Sequence, residues 1–553
     1  MDSDDLEVVP YHWHSRQRLV ADQSYLRRFQ ENLLSELKAE LERVHGVERS
    51  LRYWRLLLGP WLNVAIPVIF DRWTSIEEFS TDASSISTIV VSEETRGIPA
   101  NDLTDFNALV QDPLWNHRLY AELLQGRPEI FRCQHYEGSS VPMKTERKSR
   151  QGRDRISVRI WKKLEIMATR VTLNDAVVMM ATYLSKKEEM KLCMLFRQFP
   201  MTRSTKPSPK VDWDPGWRGW KLGGTSNSLF ENWARSWIPM NIPRLYLEGF
   251  GDLVDAARDQ QWPESPDLIW TSSAFYSDEI FKVWTAECVE NGTALIIGQH
   301  GGVYGLAQWS STEAHEVAVC DRYLSWGWDD EREKRVLPVA ILRPQSWLKL
   351  QDRNPHELLL VMGAGPRQAH RMYSGPVAGQ WEDYYEDQCV FIKALSGEGM
   401  ADLVVRPDPS YSGGNGKSVI ADCFPNVVFD DCHRSFREAL MNTKLMVVSY
   451  NGSAMLEGTS MDVPTVIWLN PSLWEMRPSA AGVLEQLRHV GMLHDDPNSA
   501  AAHVSDIWHD PDAWWESMSV RSARRALAEK YARMPIKPLK ELRKAFSEVL
   551  AVR

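Results

Sequence analysis

Apolar residues recur at helical spacing through Leu33, Leu34, Leu37, Leu41 and Val44, with charges between them, so the first 60 residues predict helix. Beyond them the period changes. Short apolar runs appear at Ile86–Ser92, Ala176–Tyr183, Leu245–Leu247, Leu268–Thr271, Leu295–Gly298 and Tyr323–Trp326, several closed by Gly, Ser or His and followed by a helical pattern such as Lys186–Gln198. Repeated strand, short loop and helix predict a doubly wound parallel sheet.

A polar break with two prolines, Arg343–Pro355, precedes a second set of runs. Glu357–Met362 ends in Gly363, Gly365 and Pro366; Leu403–Arg406, Val427–Phe429, Leu445–Ser449 and Pro464–Leu469 follow, with helical stretches at Gln380–Ala394 and Ser435–Asn442 between them. Runs this apolar suit strands buried on both faces. The tail from Ala500 to Arg553 is mostly helical in pattern. The expected fold is α/β, with two Rossmann-like lobes and helical N- and C-terminal extensions. A first lobe to residue 345 would hold the acceptor and the catalytic groups. A second, 355–500, would hold the donor nucleotide, and the helices of 501–553 would pack back across the lobes.

Composition narrows the function. Lys plus Arg is 64 and Asp plus Glu is 74, a net charge of −10 over 553 residues, which argues against a nucleic-acid partner. Seven cysteines without a CxxC pair fit a reducing cytoplasm better than a disulfide framework or zinc site. The acidic start, MDSDDLEVVP, lacks the regions of a secretory signal, and no run has the 18 or so uninterrupted apolar residues of a spanning helix. A cytoplasmic protein is expected. The 24 tryptophans suit either core anchoring or stacking on sugar faces. One segment, Lys144–Lys163, holds nine basic and two acidic residues. It reads as a solvated loop or as an arm for an anionic lipid surface, which would make the protein peripheral at the inner membrane.

Four motifs could carry chemistry. Gln299-His300-Gly301-Gly302 follows an apolar run; its glycines allow a sharp turn and close ligand approach, and His300 can move protons near neutral pH. The alternative is a core histidine in a tight turn. Asn451-Gly452-Ser453, with Glu457 one turn on, could cap a helix or present amides and a hydroxyl to a phosphate and a carboxylate to a ribose. Asp321 before Tyr323–Trp326, and Glu248 after Leu245–Leu247, could form a carboxylate pair from two strand ends of one sheet, the two groups retaining sugar chemistry needs. Either could equally cap or solvate. Arg406, ending a run, could pair with a phosphate. No HExxH, GxSxG, GxGxxG or Walker A spacing occurs, and Lys417 sits in a glycine-rich loop.

Several stretches together resemble a bacterial transferase family found with surface-polysaccharide genes: Tyr53–Trp73, Ile242–Phe250, Gln299–Gly305, Asp321–Trp328 and Pro464–Arg477, followed by Leu487–His494 and Trp514-Trp515. Members resemble GT-B glycosyltransferases and, more remotely, the retaining Kdo transferases, which use a CMP-activated ulosonic acid. The resemblance implies transfer of a sugar from a nucleotide donor to a surface glycan or glycolipid, with no metal and no further cofactor. It implies Asp321 as nucleophile, Glu248 as acid/base and His300 as an orienting group. Gln299, Gly301, Gly302, Arg406, Asn451, Gly452, Ser453 and Glu457 would hold the donor. Two alternatives stay open: a transferase using a nucleotide-diphosphate sugar without a covalent intermediate, and a non-catalytic sugar- or nucleotide-binding partner of a glycan assembly complex.

Overall fold

A computed structural model describes residues 9–80, 86–91, 97–128, 130–136, 177–198, 207–260, 262–343, 350, 353–366, 368, 371–372, 374–395, 398–408 and 416–551. The chain is α/β and divides into two compact units. One comprises residues 1–180, 190–269 and 274–293; the other comprises 181–189, 270–273 and 294–553. This division falls near residue 294, away from the Arg343–Pro355 break at which two lobes were expected to part.

The first unit is mainly helical. Helix Arg16–His45 begins where Ser15 Oγ accepts the Arg18 amide and stops at Gly46, whose φ of 66° turns the chain left-handed. Helix Leu51–Ser80 is long and apolar enough to cross a membrane by length and composition, yet 89% of its most apolar window is buried within the protein. It also carries a buried polar knot: Arg72 donates to Asn116 Oδ1 (2.8 and 3.1 Å) and pairs with Asp71, which accepts from Tyr11 Oη (2.6 Å). Strands β1 (Ile86–Val91) and β2 (Phe131–Tyr136) form a two-stranded parallel sheet in register Ile86 to Phe131. The basic segment Lys144–Lys163 lies outside the described residues.

The expected strand at Leu245–Leu247 is instead a 3-10 turn, Arg244–Tyr246. Pro243 opens it, and its amides bond to Ala100 O (2.9 Å) and Asn101 O (3.0 Å) and then locally to Pro243 O and Arg244 O. The apolar triplet is buried in a turn and has no sheet partner among the described residues.

A five-stranded sheet runs in the order β3 (Val177–Met180), β4 (Leu268–Thr271), β5 (Ala294–Gly298), β6 (Arg322–Ser325), β7 (Val336–Pro338). Strands β5, β6 and β7 pair in parallel. The other sheet comprises β8 (Glu357–Val361), β9 (Leu403–Arg406), β10 (Val428–Phe429), β11 (Thr443–Val448), β12 (Thr465–Trp468) and β13 (Leu493–His494), in the order β10-β9-β8-β11-β12-β13. Every neighbouring pair is parallel. That is the Rossmann order, and it reverses between β8 and β11, the position where such sheets open a crevice at the carboxyl ends of the strands. Lys417, expected in a loop, stands in the first turn of helix Gly416–Cys423, with its ammonium 5.2 Å from the Phe429 ring centre. The tail is helical as expected, in four pieces from Pro497 to Ala551.

Candidate functional site

The exits of β5 and β6 are knotted by one side chain. Gln299, fully buried, accepts at Oε1 from the Trp326 amide and the Trp328 indole (both 2.8 Å) and donates from Nε2 to Gly301 O (2.7 Å). Its carbonyl accepts from the Trp326 indole (2.9 Å). These bonds commit the Gln299 amide to shaping the turn, so its expected role as a donor ligand is replaced by a structural one. Gly305, at φ 75°, packs against the face of Trp328, where any side chain would collide with the ring.

The turn so fixed meets the exit of β11. The Gly302 amide donates to Ser453 Oγ at 2.9 Å. A Cβ on Gly302 would lie 2.7 Å from Ser453 Cα and 2.8 Å from Gly452 O, so only glycine allows this approach. Of the two readings of this motif, the helix cap by Asn451 or Ser453 is not the one found among the described residues. Helix Ser453–Ser460 starts from Gly452 in extended backbone with no side-chain cap. Its first amides therefore keep the partial positive charge of a helix N-terminus. Asn451 is buried, with its amide nitrogen 3.6 Å from Met476 Sδ, and its Oδ1 has no hydrogen-bond partner among the described residues. Beside it, at the β8–β11 switch, Tyr384 Oη receives the Gly363 amide (2.8 Å) and lies 2.7 Å from Ser449 Oγ.

Two charged groups frame the turn. Arg343 donates from Nε to Glu457 Oε1 at 2.9 Å, with Nη2 at 2.8 Å. Burial pushes the Glu457 carboxyl up and Arg343 restrains it. The guanidinium also lies over the rings of Tyr183 (4.9 Å) and Trp326 (5.3 Å). Tyr183, held at a φ of 65° that non-glycine residues rarely adopt, lies parallel to the His300 ring at 6.2 Å.

His300 keeps 21% of its side chain exposed. Its Nδ1 is 3.6 Å from Oε1 of the fully buried Glu316, and its Nε2 is 3.2 Å from Tyr304 Oη. Tyr304 Oη is also 3.2 Å from Glu316 Oε1, and burial beside that carboxylate holds the phenol well above its ordinary pKa. Burial, then the Arg343 charge, push the imidazole down to about 4 against a weaker upward pull from a hydrogen bond at Ser272. His300 is thus neutral at physiological pH, backed by a carboxylate and flanked by a cation.

The remaining predicted residues are elsewhere. Arg406 Nη1 pairs with the buried Asp430 (2.6 Å) and Nη2 donates to Arg434 O (3.0 Å), which spends the guanidinium within the fold. Asp321 opens β6 at its amino end, and its Oδ2 accepts the Leu295 amide at 2.7 Å. The four residues of β6 separate it from the Trp326 exit by roughly 13 Å of strand rise. Glu248, in the first unit, follows the 3-10 turn and is held bidentately by Arg218 (2.7 Å twice). Neither carboxylate therefore stands at the carboxyl end of a strand, where the pair was expected. Arg343, Glu316 and Tyr304 were not singled out from sequence. Glu316 had a faint signal: with Glu313 it makes an i, i+3 acidic pair in the helix Ser311–Val319, and both are buried. Among the described residues no group of three or more His, Cys, Asp or Glu could hold a metal ion.

Solved structures with some likeness include the wall teichoic acid polymerase TagF, 9% identical over 52% of this chain and 73% of that one, TM-score 0.30. A UDP-N-acetylglucosamine 2-epimerase is 10% identical over 55% and 76%, TM-score 0.32. WaaG, a glycosyltransferase involved in lipopolysaccharide biosynthesis, is 10% identical over 55% and 95%, TM-score 0.28. At these scores the likeness is too low to assign a shared fold. No curated protein matches the chain. A family model described as LIC12162 family transferase matches residues 1–546, and the chain belongs to that family of transferases.

Proposed function

We propose that this transferase moves a sugar from a nucleotide-activated donor onto a glycan or glycolipid acceptor, on a GT-B-like pair of Rossmann-type lobes. The observation that carries it is the contact of Gly302 N with Ser453 Oγ (2.9 Å), which brings the His300 turn to an uncapped helix N-terminus at the edge of a Rossmann switch point. The donor phosphate would lie over Asn451–Ser453, on the helix amides, with Arg343 supplying charge. Asn451 Oδ1 and Glu457 would face the ribose. A phosphate beside the imidazole would raise the His300 pKa toward the working range and let it take the acceptor's proton, with Glu316 fixing the ring. The enzyme would act in the cytoplasm with the nucleotide sugar as its co-substrate.

A thermal-shift series against CMP, UDP, GDP and ADP tests this directly, since a ligand that binds only the folded form raises its melting temperature. Stabilisation by one nucleotide, lost in Ser453→Ala or Arg343→Ala, is expected. No stabilisation by any of them would end the proposal. The finer course comes from the remote Kdo-transferase resemblance: CMP as the nucleotide and retention through Asp321. A sugar adduct on Asp321 detected by mass spectrometry would establish it; a nucleotide-diphosphate preference without an adduct would favour direct displacement. Unchanged glycan output in vivo from His300→Ala would favour a binding protein.

A further inference from the structure

The first unit contains a cavity that the donor site leaves unexplained. It has a volume of about 630 Å³ and is lined by Arg43, Asp214, Gly219, Trp217 and Trp220, among others. We propose that it binds a saccharide, one uncharged pyranose ring of an oligosaccharide stacking on Trp217. This rests on the sugar-transfer reading only in taking that saccharide to be the acceptor.

A sugar ring offers an apolar C–H face and a rim of hydroxyls, so its site needs a rigid aromatic platform with donors and acceptors at the edge. Trp217 is 42% exposed, unusual for an indole beside a cavity. It is kept from collapsing by its neighbour. The Arg218 side chain is fully buried, bonds twice to Glu248 and donates to Pro239 O (3.1 Å) and Ile242 O (3.0 Å). Four bonds from one guanidinium hold the loop that presents the indole, so binding would cost little ordering entropy. On the inner side the Trp217 ring lies 6.4 Å from His45, which itself stacks on Phe250 at 4.3 Å.

The edge groups suit hydroxyls. Asp214 gives one carboxylate oxygen to the Gly216 amide (2.8 Å), which leaves the second for a hydroxyl donor. Arg43, at the last turn of helix Arg16–His45, shares Nε and Nη2 with Glu40 and has further N–H groups. Trp220 is 9% exposed, and its buried indole N–H has no acceptor among the described residues. One acid and one base lining the same cavity favour a neutral ligand, because a phosphate or carboxylate would meet the Asp214 charge.

Screening the intact chain on an array of bacterial surface oligosaccharides tests the inference, with Trp217→Ala and Gly219→Leu as variants. A Cβ on Gly219 meets nothing within 4 Å, so the leucine fills open space and spares the fold. Wild type should bind at least one glycan, and each variant should weaken it about tenfold or more. The nucleotide thermal shift should be unchanged in both variants. Absence of glycan binding by wild type, or equal binding by both variants, would overturn the saccharide site. Glycan binding without any nucleotide shift would instead defeat the donor reading and leave this site standing.

Discussion

Two adjacent glycines make opposite predictions. Gly302→Ala places a methyl 2.7 Å from Ser453 Cα, 2.8 Å from Gly452 O and 2.9 Å from Gly452 C, where ordinary contact begins at 3.4 Å. All three atoms are backbone, so no side chain can swing aside and the two turns must part by more than half an ångström. Overpacking of this kind costs about 1–3 kcal/mol. Loss of the Gly302–Ser453 hydrogen bond adds about 1 kcal/mol. Gly301→Ala points its methyl into open space and should change stability by less than about 0.5 kcal/mol. Urea denaturation of the full chain, followed by tryptophan fluorescence, should show one transition moved to lower urea in G302A and unmoved in G301A. The nucleotide shift should weaken in G302A alone. Equal midpoints for the two variants would refute the claim that the turns are in backbone contact.

Other consequences can be checked in the same assays. Below pH 6.5 the unfolded chain binds a proton at His300 that the folded chain refuses until about pH 4, so stability falls as pH drops through that window, by at most about 3 kcal/mol. His300→Gln should flatten this part of the slope in denaturation curves at pH 7, 5.5 and 4.5; an unchanged slope would contradict it. Arg343→Ala leaves Glu457 buried without its cation and should cost about 3–5 kcal/mol, while Arg343→Ala with Glu457→Gln should be less damaged than the single change. The same Arg343→Ala should move the His300 imidazole upward in an NMR titration, because that charge holds it down; no movement would show that burial alone sets it. Asp321→Ala removes the acceptor of the Leu295 amide and should cost about 1–3 kcal/mol with the nucleotide shift intact; a lost shift with unchanged stability would instead place Asp321 at the donor.

Many of the sheet strands were legible because burial leaves continuous apolar runs. Leu268–Thr271, Leu403–Arg406 and Gln380–Ala394 coincide with their elements; β5 and β8 differ by one residue at one end and β12 by one at both. Leu245–Leu247 failed because an apolar triplet records burial and not pairing, and its amides found Ala100 and Asn101. The glycine turns at 301–302 and 452 were visible for the reason glycine is informative: close approach excludes a side chain. What surrounds them was not. Arg343 stood in what read as a polar break, yet its partner Glu457 lies 114 residues away. Glu316 looked like one more helix charge until the fold set it beside His300. Ion pairs across such distances leave no period in a single sequence. Arg406 shows the converse: a cation at a strand's end fits a ligand and an internal partner equally well, and Asp430 took it.

The contact between Gly302 and Ser453 spans 151 residues of chain. At a synthesis rate of roughly 5–20 residues per second, the histidine turn leaves the ribosome roughly 8–30 s before its partner is made. Over that interval β5 and β6 can pair, but β11 does not yet exist to open the switch with β8. The contact between the two turns can therefore form only late, once the last fifth of the polypeptide is being made. A nascent or truncated chain ending before residue 443 would hold the His300 turn and lack the β11 exit that it meets.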